Sequence, residues 1–199
     1  PSGSGKSTHL HLLGLLDRPT NGTLRIAGID VLDLSDREQT RFRLDRLGYV
    51  FQDYALVSEL LAEENVSLPC RMRGASEREC GEVGRELLGR VGLGGRARHR
   101  QAELSGGEQQ RVAIARALAN SPEIILADEP CANLDSENSR IVLDLFRRLN
   151  EERGQTIVMV THEDWHRGYC SRIVSMRDGQ IVGEERNRAG SSGPGTSGC

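Results

Sequence analysis

The first eight residues, Pro1-Ser2-Gly3-Ser4-Gly5-Lys6-Ser7-Thr8, constrain the fold more than any other stretch of the chain. Gly5, Lys6 and Ser7 supply the second half of the pattern G-x-x-x-x-G-K-[ST], whose small residues let consecutive backbone N–H groups curl around phosphate oxygens. Such a loop leaves a β-strand and enters a helix whose positive end faces the anion, so it predicts a layered α/β domain. The pattern's first glycine falls one position before Pro1, and no strand precedes the loop. The chain therefore reads as a fragment whose true N-terminus lies upstream. Of its 26 Lys and Arg residues, the one lysine is Lys6. Arginine's planar fork is too wide where one compact ammonium must sit among crowded phosphates, so the placement of this lysine supports the phosphate reading. Lys6 is then the point charge on the β/γ-phosphates and the Ser7 hydroxyl a Mg²⁺ ligand. Ser2, Gly3, Ser4, Gly5 and Thr8 complete the cradle, and His9 to Leu16 continue as a largely apolar helix.

The rest of the composition excludes more than it assigns. Hydrophobic residues make up 37% of the 199, enough for a core, and aromatics only 4%, too few for base-stacking platforms. A net charge of -3 gives no bulk attraction to nucleic acid or to an anionic membrane. The apolar runs Leu12 to Leu16 and Ile157 to Val160 fall far short of the roughly 20 residues of a membrane span. No signal peptide is visible, and the five cysteines lack C-x-x-C spacing, which reads as reduced cytosolic thiols.

Along the chain, Thr23 to Ala27 and Ile29 to Val31 read as strand and turn, and Asp36 to Arg46 as a charged helix. Gly48 to Phe51 is a short buried strand ending at Gln52. From about 53 to 120 the chain is polar and mostly helical, the pattern of an inserted helical subdomain. Glu123 to Ala127 is a continuous apolar run suited to a buried parallel strand. Ser136 to Glu152 is an amphipathic helix with Ser136 near its N-cap, and Thr156 to Val160 a further strand. Arg172 to Met176 and Gln180 to Glu184 form a closing hairpin through Asp178-Gly179. Residues 187–199 are Gly/Ser-rich and expected to be disordered. Strands alternating with helices imply a mostly parallel sheet, and ligands of such sheets bind at the carboxyl ends of the strands. Gln52, Asp128 and His162 each stand where an apolar run stops.

Two strings carry the chemistry. Ile124-Ile125-Leu126-Ala127-Asp128-Glu129 is an apolar strand ending in two carboxylates that strand alternation sends in different directions. Asp128 can hold Mg²⁺, directly or through water, while Glu129 faces the γ-phosphate and can take a proton from the attacking water. In Leu104-Ser105-Gly106-Gly107-Glu108-Gln109-Gln110-Arg111, Ser-Gly-Gly before a helix from Glu108 to Ala119 makes a second anion-binding helix N-terminus. One nucleotide seldom needs two cradles from one chain.

LSGGEQQR resembles the signature sequence of ATP-binding cassette (ABC) ATPases. In family order around it stand the loop at 1–8, a Q-loop glutamine at Gln52, the Walker B string at 126–130, a D-loop from Ala132 to Asp135 and a switch histidine at His162. The resemblance covers residues 1–186 and implies a P-loop NTPase fold of ABC type that binds and hydrolyses ATP with Mg²⁺ to power a membrane transporter. It implies a head-to-tail homodimer, with Ser105, Gly106, Gly107 and Glu108 of one subunit closing over ATP held by Lys6 of the other. It also implies that His162 contacts the γ-phosphate, and that Gln52 senses Mg²⁺ and relays the nucleotide state to an integral membrane permease. The cassette would then be cytoplasmic and peripheral on the inner face of the membrane. Arg46 to Gln52 and Glu64 to Pro69 resemble the branch of lipoprotein-releasing, macrolide-export, antimicrobial-peptide-resistance and cell-division ATPases. A cell-division or soluble non-transport cassette is the alternative. Cys131 stands where the family usually has a hydroxyl residue or glycine, which reads as a tolerated departure that leaves thiol sensitivity open. His162-Glu163-Asp164-Trp165-His166 is a literal H-E-x-x-H, but His162 ends a strand-like run and cannot share a helix face with His166. His9 and His11 point to different faces of their helix and read as packing or surface residues.

Overall fold

The computed structural model describes residues 5–187. Its frame is a three-stranded parallel sheet in the order β3 (Leu47–Val50), β4 (Ile124–Asp128), β5 (Thr156–Val160). β4 lies in the middle, and Ile125, Leu126 and Ala127 are all buried, which is why its sequence is continuously apolar instead of alternating. Ile125 and Ala127 face a core with Val112, Ile114, Val142, Leu143 and Phe146, from helices α5 (Gly106–Ala117) and α6 (Ser136–Arg153). Leu126 points the other way, into a second core with Leu10 of α1 (Lys6–Leu13) and Phe42 of α2 (Asp36–Arg46). The result is helix, sheet, helix. Burying each leucine-sized side chain of these layers stabilises the fold by roughly 1.5–3 kcal/mol.

Local chemistry sets the helix ends. Ser35 and Glu38 form a reciprocal capping box on α2, and Ser76 and Glu79 do the same for α4 (Glu77–Arg90). α3 (Ala62–Met72) and α4 form a helical hairpin against α5, and Leu87, Leu88 and Val66 join the α5 core. α5 packs closely on β3 because residue 48 is glycine: a Cβ there would run into the Ala117 carbonyl. Two small antiparallel units complete the described residues, β1 (Arg25–Ile26) with β2 (Ile29–Asp30), and β6 (Arg172–Arg177) with β7 (Gln180–Arg186).

Two local expectations need correction. The first helix runs over Lys6–Leu13, not 9 to 16; Gly14 caps it and Leu15 turns to a φ of 56°, which no helix continues. α5 starts at Gly106 and not at Glu108, because Ser105 caps it; α6 starts at Ser136 as expected, with Asp135 beside it as the cap, its carboxylate accepting from the Asn138 amide at 2.7 Å. Among the described residues no helix is long and apolar enough to cross a membrane. The glycine- and serine-rich stretch expected to be disordered lies, from residue 188 onward, outside the described residues.

Candidate nucleotide site

The sheet register brings the expected residues to one edge. Val50 pairs with Ala127 and Ala127 with Met159, while Asp128 pairs with Val160. Gln52, Glu129 and His162 therefore each follow within two residues of the last rungs of the ladder. α1 starts at the same edge. Its N-cap, Gly5, has a φ of 82°, and a Cβ there would approach the Gly179 Cα at 3.1 Å, so conformation and space both favour glycine. Ser2, Gly3 and Ser4 lie outside the described residues.

The hydroxyl of Ser7, on the first turn of α1, donates to Asp128 Oδ1 at 2.9 Å. One turn on, His11 Nε2 lies 3.6 Å from Asp128 Oδ2. The expectation of a mere packing or surface role for His11 is thus corrected: residues 7 and 11 share one face of α1, and that face looks at the strand-end carboxylate. Glu129 leaves the strand differently from expected. Its side chain diverges from that of Asp128 not by strand alternation but because Glu129 adopts a φ of 43°, a region that non-glycine residues rarely occupy. Its amide still donates to the Val160 carbonyl at 3.0 Å. Its carboxylate Oε2 stands 3.1 Å from His162 Nδ1, and the other ring nitrogen of His162 is 3.3 Å from Glu163 Oε1.

Behind this turn sits a residue of the signature string to which the sequence assigned no role. Gln110 on α5 is fully buried and donates from Nε2 to the Pro130 carbonyl at 2.6 Å, tying the turn after Glu129 to α5. Cys131 is also buried, with its Sγ against the Ser139 carbonyl, and burial pushes its thiol up to about 11. A thiol so rarely ionised is a poor nucleophile, which decides against thiol sensitivity at this position.

The second cradle is locked to the neighbouring loop. Ser105 caps α5: the Glu108 amide donates to its Oγ at 3.3 Å, and Glu108 Oε2 accepts from the Ser105 amide at 2.8 Å. That backbone hydrogen bond, with Arg96 at 2.9 Å from the same carboxylate, holds the Glu108 carboxyl below its ordinary range. Asn138 donates from its side-chain amide to Asp135 Oδ1 and Oδ2 at 3.1 and 2.9 Å, and the Asn138 backbone amide bond keeps the Asp135 carboxyl below its usual range. A Cβ on Gly107 would run into this same Asn138 side chain. We expect Gly107→Ala to lose roughly 1–3 kcal/mol of unfolding free energy, the range for overpacking, in urea titrations. Adding Asn138→Ala should restore most of the loss that is due to the clash. An unchanged midpoint in Gly107→Ala would show that this contact is soft.

Gln52 itself is exposed, and its carbonyl accepts from the Asn133 side-chain amide at 3.0 Å. The literal H-E-x-x-H forms no zinc-protease helix: Asp164–Tyr169 is 3-10, and buried His166 shares a 2.7 Å hydrogen bond between Nδ1 and Thr161 Oγ1. Among the described residues no group of three His, Cys, Asp or Glu could hold a metal. A Mg²⁺ ion needs no such cage, because it binds through one or two protein oxygens plus phosphates and water. The Ser7 hydroxyl and Asp128 carboxylate, in mutual contact at the end of the phosphate-type loop, fit that requirement.

A glycine-capped helix N-terminus facing a strand-end carboxylate at the carboxyl edge of a parallel sheet defines a P-loop nucleotide-binding domain. The family model described as ABC transporter matches residues 1–132. The chain belongs to the ABC transporter family, as an ATP-binding and ATP-hydrolysing cassette. It is 53% identical over 188 residues to an uncharacterized ABC transporter ATP-binding protein of Thermotoga maritima, covering 94% of this chain and 79% of that one. It is 48% identical over 183 residues to the lipoprotein-releasing system ATP-binding protein LolD of Geobacter metallireducens, covering 92% and 81%. The dimeric post-hydrolysis structure of the ATP-binding cassette MJ0796 bound to ADP and Pi superposes with a TM-score of 0.86 at 47% identity, covering 95% of this chain and 83% of that one.

Proposed function

We propose that this cassette binds Mg·ATP between two subunits and drives an integral membrane permease of the lipoprotein-releasing or export type. The observation that carries the reading is the junction at 2.9 Å between Ser7 and Asp128, flanked by the Glu129–His162 contact at 3.1 Å. Lys6 and the amides of Gly5, Ser7 and Thr8 hold the phosphates. Ser7 and Asp128 are the oxygens that would hold Mg²⁺, and Gln52 stands at the same edge to complete its surroundings. The ion supplies neutralisation of phosphate charge. Glu129 takes the proton of the attacking water, and His162 fixes the orientation of the Glu129 carboxylate. Ser105, Gly106, Gly107 and Glu108 serve the nucleotide of the partner subunit, with Asp135 beside them. The dimeric state of MJ0796 and the name of the LolD relative support the pairing and the transport role.

The permease would hold the cassette at the inner face of the membrane. The test is purification from detergent-extracted membranes: an integral membrane protein should accompany the cassette in stoichiometric amount. A population found wholly in the soluble fraction, with no membrane partner, would favour a non-transport cassette instead.

A further inference from the structure

The segment that follows Gln52 is held in a conformation its own residues disfavour. Tyr54 and Ala55 have φ values of 62° and 46°, two consecutive non-glycine residues in the left-handed region. Strain of this kind persists only where the surroundings over-determine it, and it concentrates at functional sites. Short-range turns hold the Tyr54 and Ala55 amides, to the Phe51 and Asp53 carbonyls at 3.2 and 2.7 Å, and a side chain from α5 holds both carbonyls. Arg116 donates from Nη2 to the Tyr54 carbonyl at 2.8 Å and from Nη1 to the Ala55 carbonyl. Two adjacent carbonyls can point at one guanidinium because the backbone carrying them is turned left-handed, and the planar fork suits a two-pronged contact that an ammonium cannot duplicate.

The held segment touches each element expected to face the second nucleotide. The Tyr54 hydroxyl donates to the Asn133 carbonyl at 3.4 Å, and a Cβ on Gly106 would come within 2.9 Å of the same hydroxyl. Asn133 returns the contact by donating to the Gln52 carbonyl at 3.0 Å. α5 begins at Gly106 and carries Arg116 near its other end, so both ends of one rigid helix meet the same short loop.

We infer that Arg116 is a positioning residue that latches the strained 54–55 segment to α5, so that Gln52 and the Ser105–Gly107 turn move as one body. The latch couples the surface meeting the second ATP to the glutamine at the first. Its structural part stands on geometry alone; its effect on turnover rests on the function proposed for Gln52.

The test uses Arg116→Lys, which keeps the charge and loses the fork, with Arg116→Gln as a second variant should the lysine fold poorly. Amide hydrogen exchange at residues 53–57 should accelerate by roughly tenfold, the scale of a lost hydrogen bond to a charged group, while exchange in β4 and the rest of α5 stays unchanged. The kcat for ATP should fall by about tenfold with KM within twofold, as expected when positioning is lost but binding is not. Ala55→Gly, which removes the steric penalty of a positive φ, should recover at least about threefold of kcat in the Arg116→Lys background and change the parent protein by less than about twofold. Unchanged exchange at 53–57 overturns the latch whatever the turnover does. Faster exchange with unaltered kcat, or no recovery by Ala55→Gly, overturns its role in coupling. An inactive parent protein would count against the proposed ATPase roles, while the exchange data would still decide the latch.

Discussion

In Glu129→Gln, ATP turnover should fall by roughly 10²–10⁴-fold, the contribution of a positioned general base, while an ATP-bound dimer accumulates on gel filtration. The substitution is nearly isosteric. It keeps the left-handed backbone at φ 43° and the amide bond to Val160, so the turn that aims residue 129 stays in place. A glutamine oxygen can also still accept from His162 Nδ1, which lies 3.1 Å from the present carboxylate oxygen. What is lost is the negative charge and basicity needed to take a proton from water. With Lys6, Ser7 and the Ser105–Gly107 turn in their proposed roles, binding and closure are then separated from chemistry. ATP should therefore remain bound and hold the dimer together. Near-normal turnover would place the base elsewhere, and loss of ATP binding would show that Glu129 shapes the pocket instead of activating water.

The sequence made some of this legible because certain local rules have few solutions. A fully apolar run ending at Asp128 can be buried on both faces only as an inner strand, and β4 is the central strand. Ser-Gly-Gly before an apolar-periodic run is legible as a helix start, although the capping box of Ser105 with Glu108 sets that start at Gly106 and not at Glu108. The site was harder where its geometry depends on contacts between distant segments. Nothing in a linear pattern shows that Arg116 reaches back to the carbonyls of Tyr54 and Ala55, or that Gln110 fixes the Pro130 carbonyl. The facing of His11 towards Asp128 was recoverable in principle, since Ser7 and His11 are one helical turn apart. The apolar run from 9 to 16 hides it, because that run leaves Ser7 in the loop, whereas the helix starts at Lys6. Cys131 illustrates a different limit: position relative to a motif leaves reactivity open, and burial decides the thiol's state.

Lys6→Arg should weaken ATP affinity by about a hundredfold, at the lower end of what truncating a buried charge pair costs, when titrated with a fluorescent nucleotide analogue. The variant preserves net charge, so a purely electrostatic role predicts little change. A chain with 25 arginines among its 26 basic residues shows no general preference for lysine that would explain the one at position 6. Space and shape remain as the reason. Position 6 opens α1 directly after Gly5, whose φ of 82° turns the backbone and whose Cα side is closed by Gly179 at 3.1 Å from a virtual Cβ. A wide guanidinium emerging there must force its planar fork into the narrow space between the phosphates and the loop, whereas an ammonium on a flexible stem fits between them. Lys6→Ala should lose at least as much, because it removes the charge as well. If Lys6→Arg binds ATP within about threefold of the parent while Lys6→Ala does not, charge alone is required and the steric argument fails. If both variants lose affinity together, with α1 still protected from amide exchange, the compact ammonium is the requirement at this position.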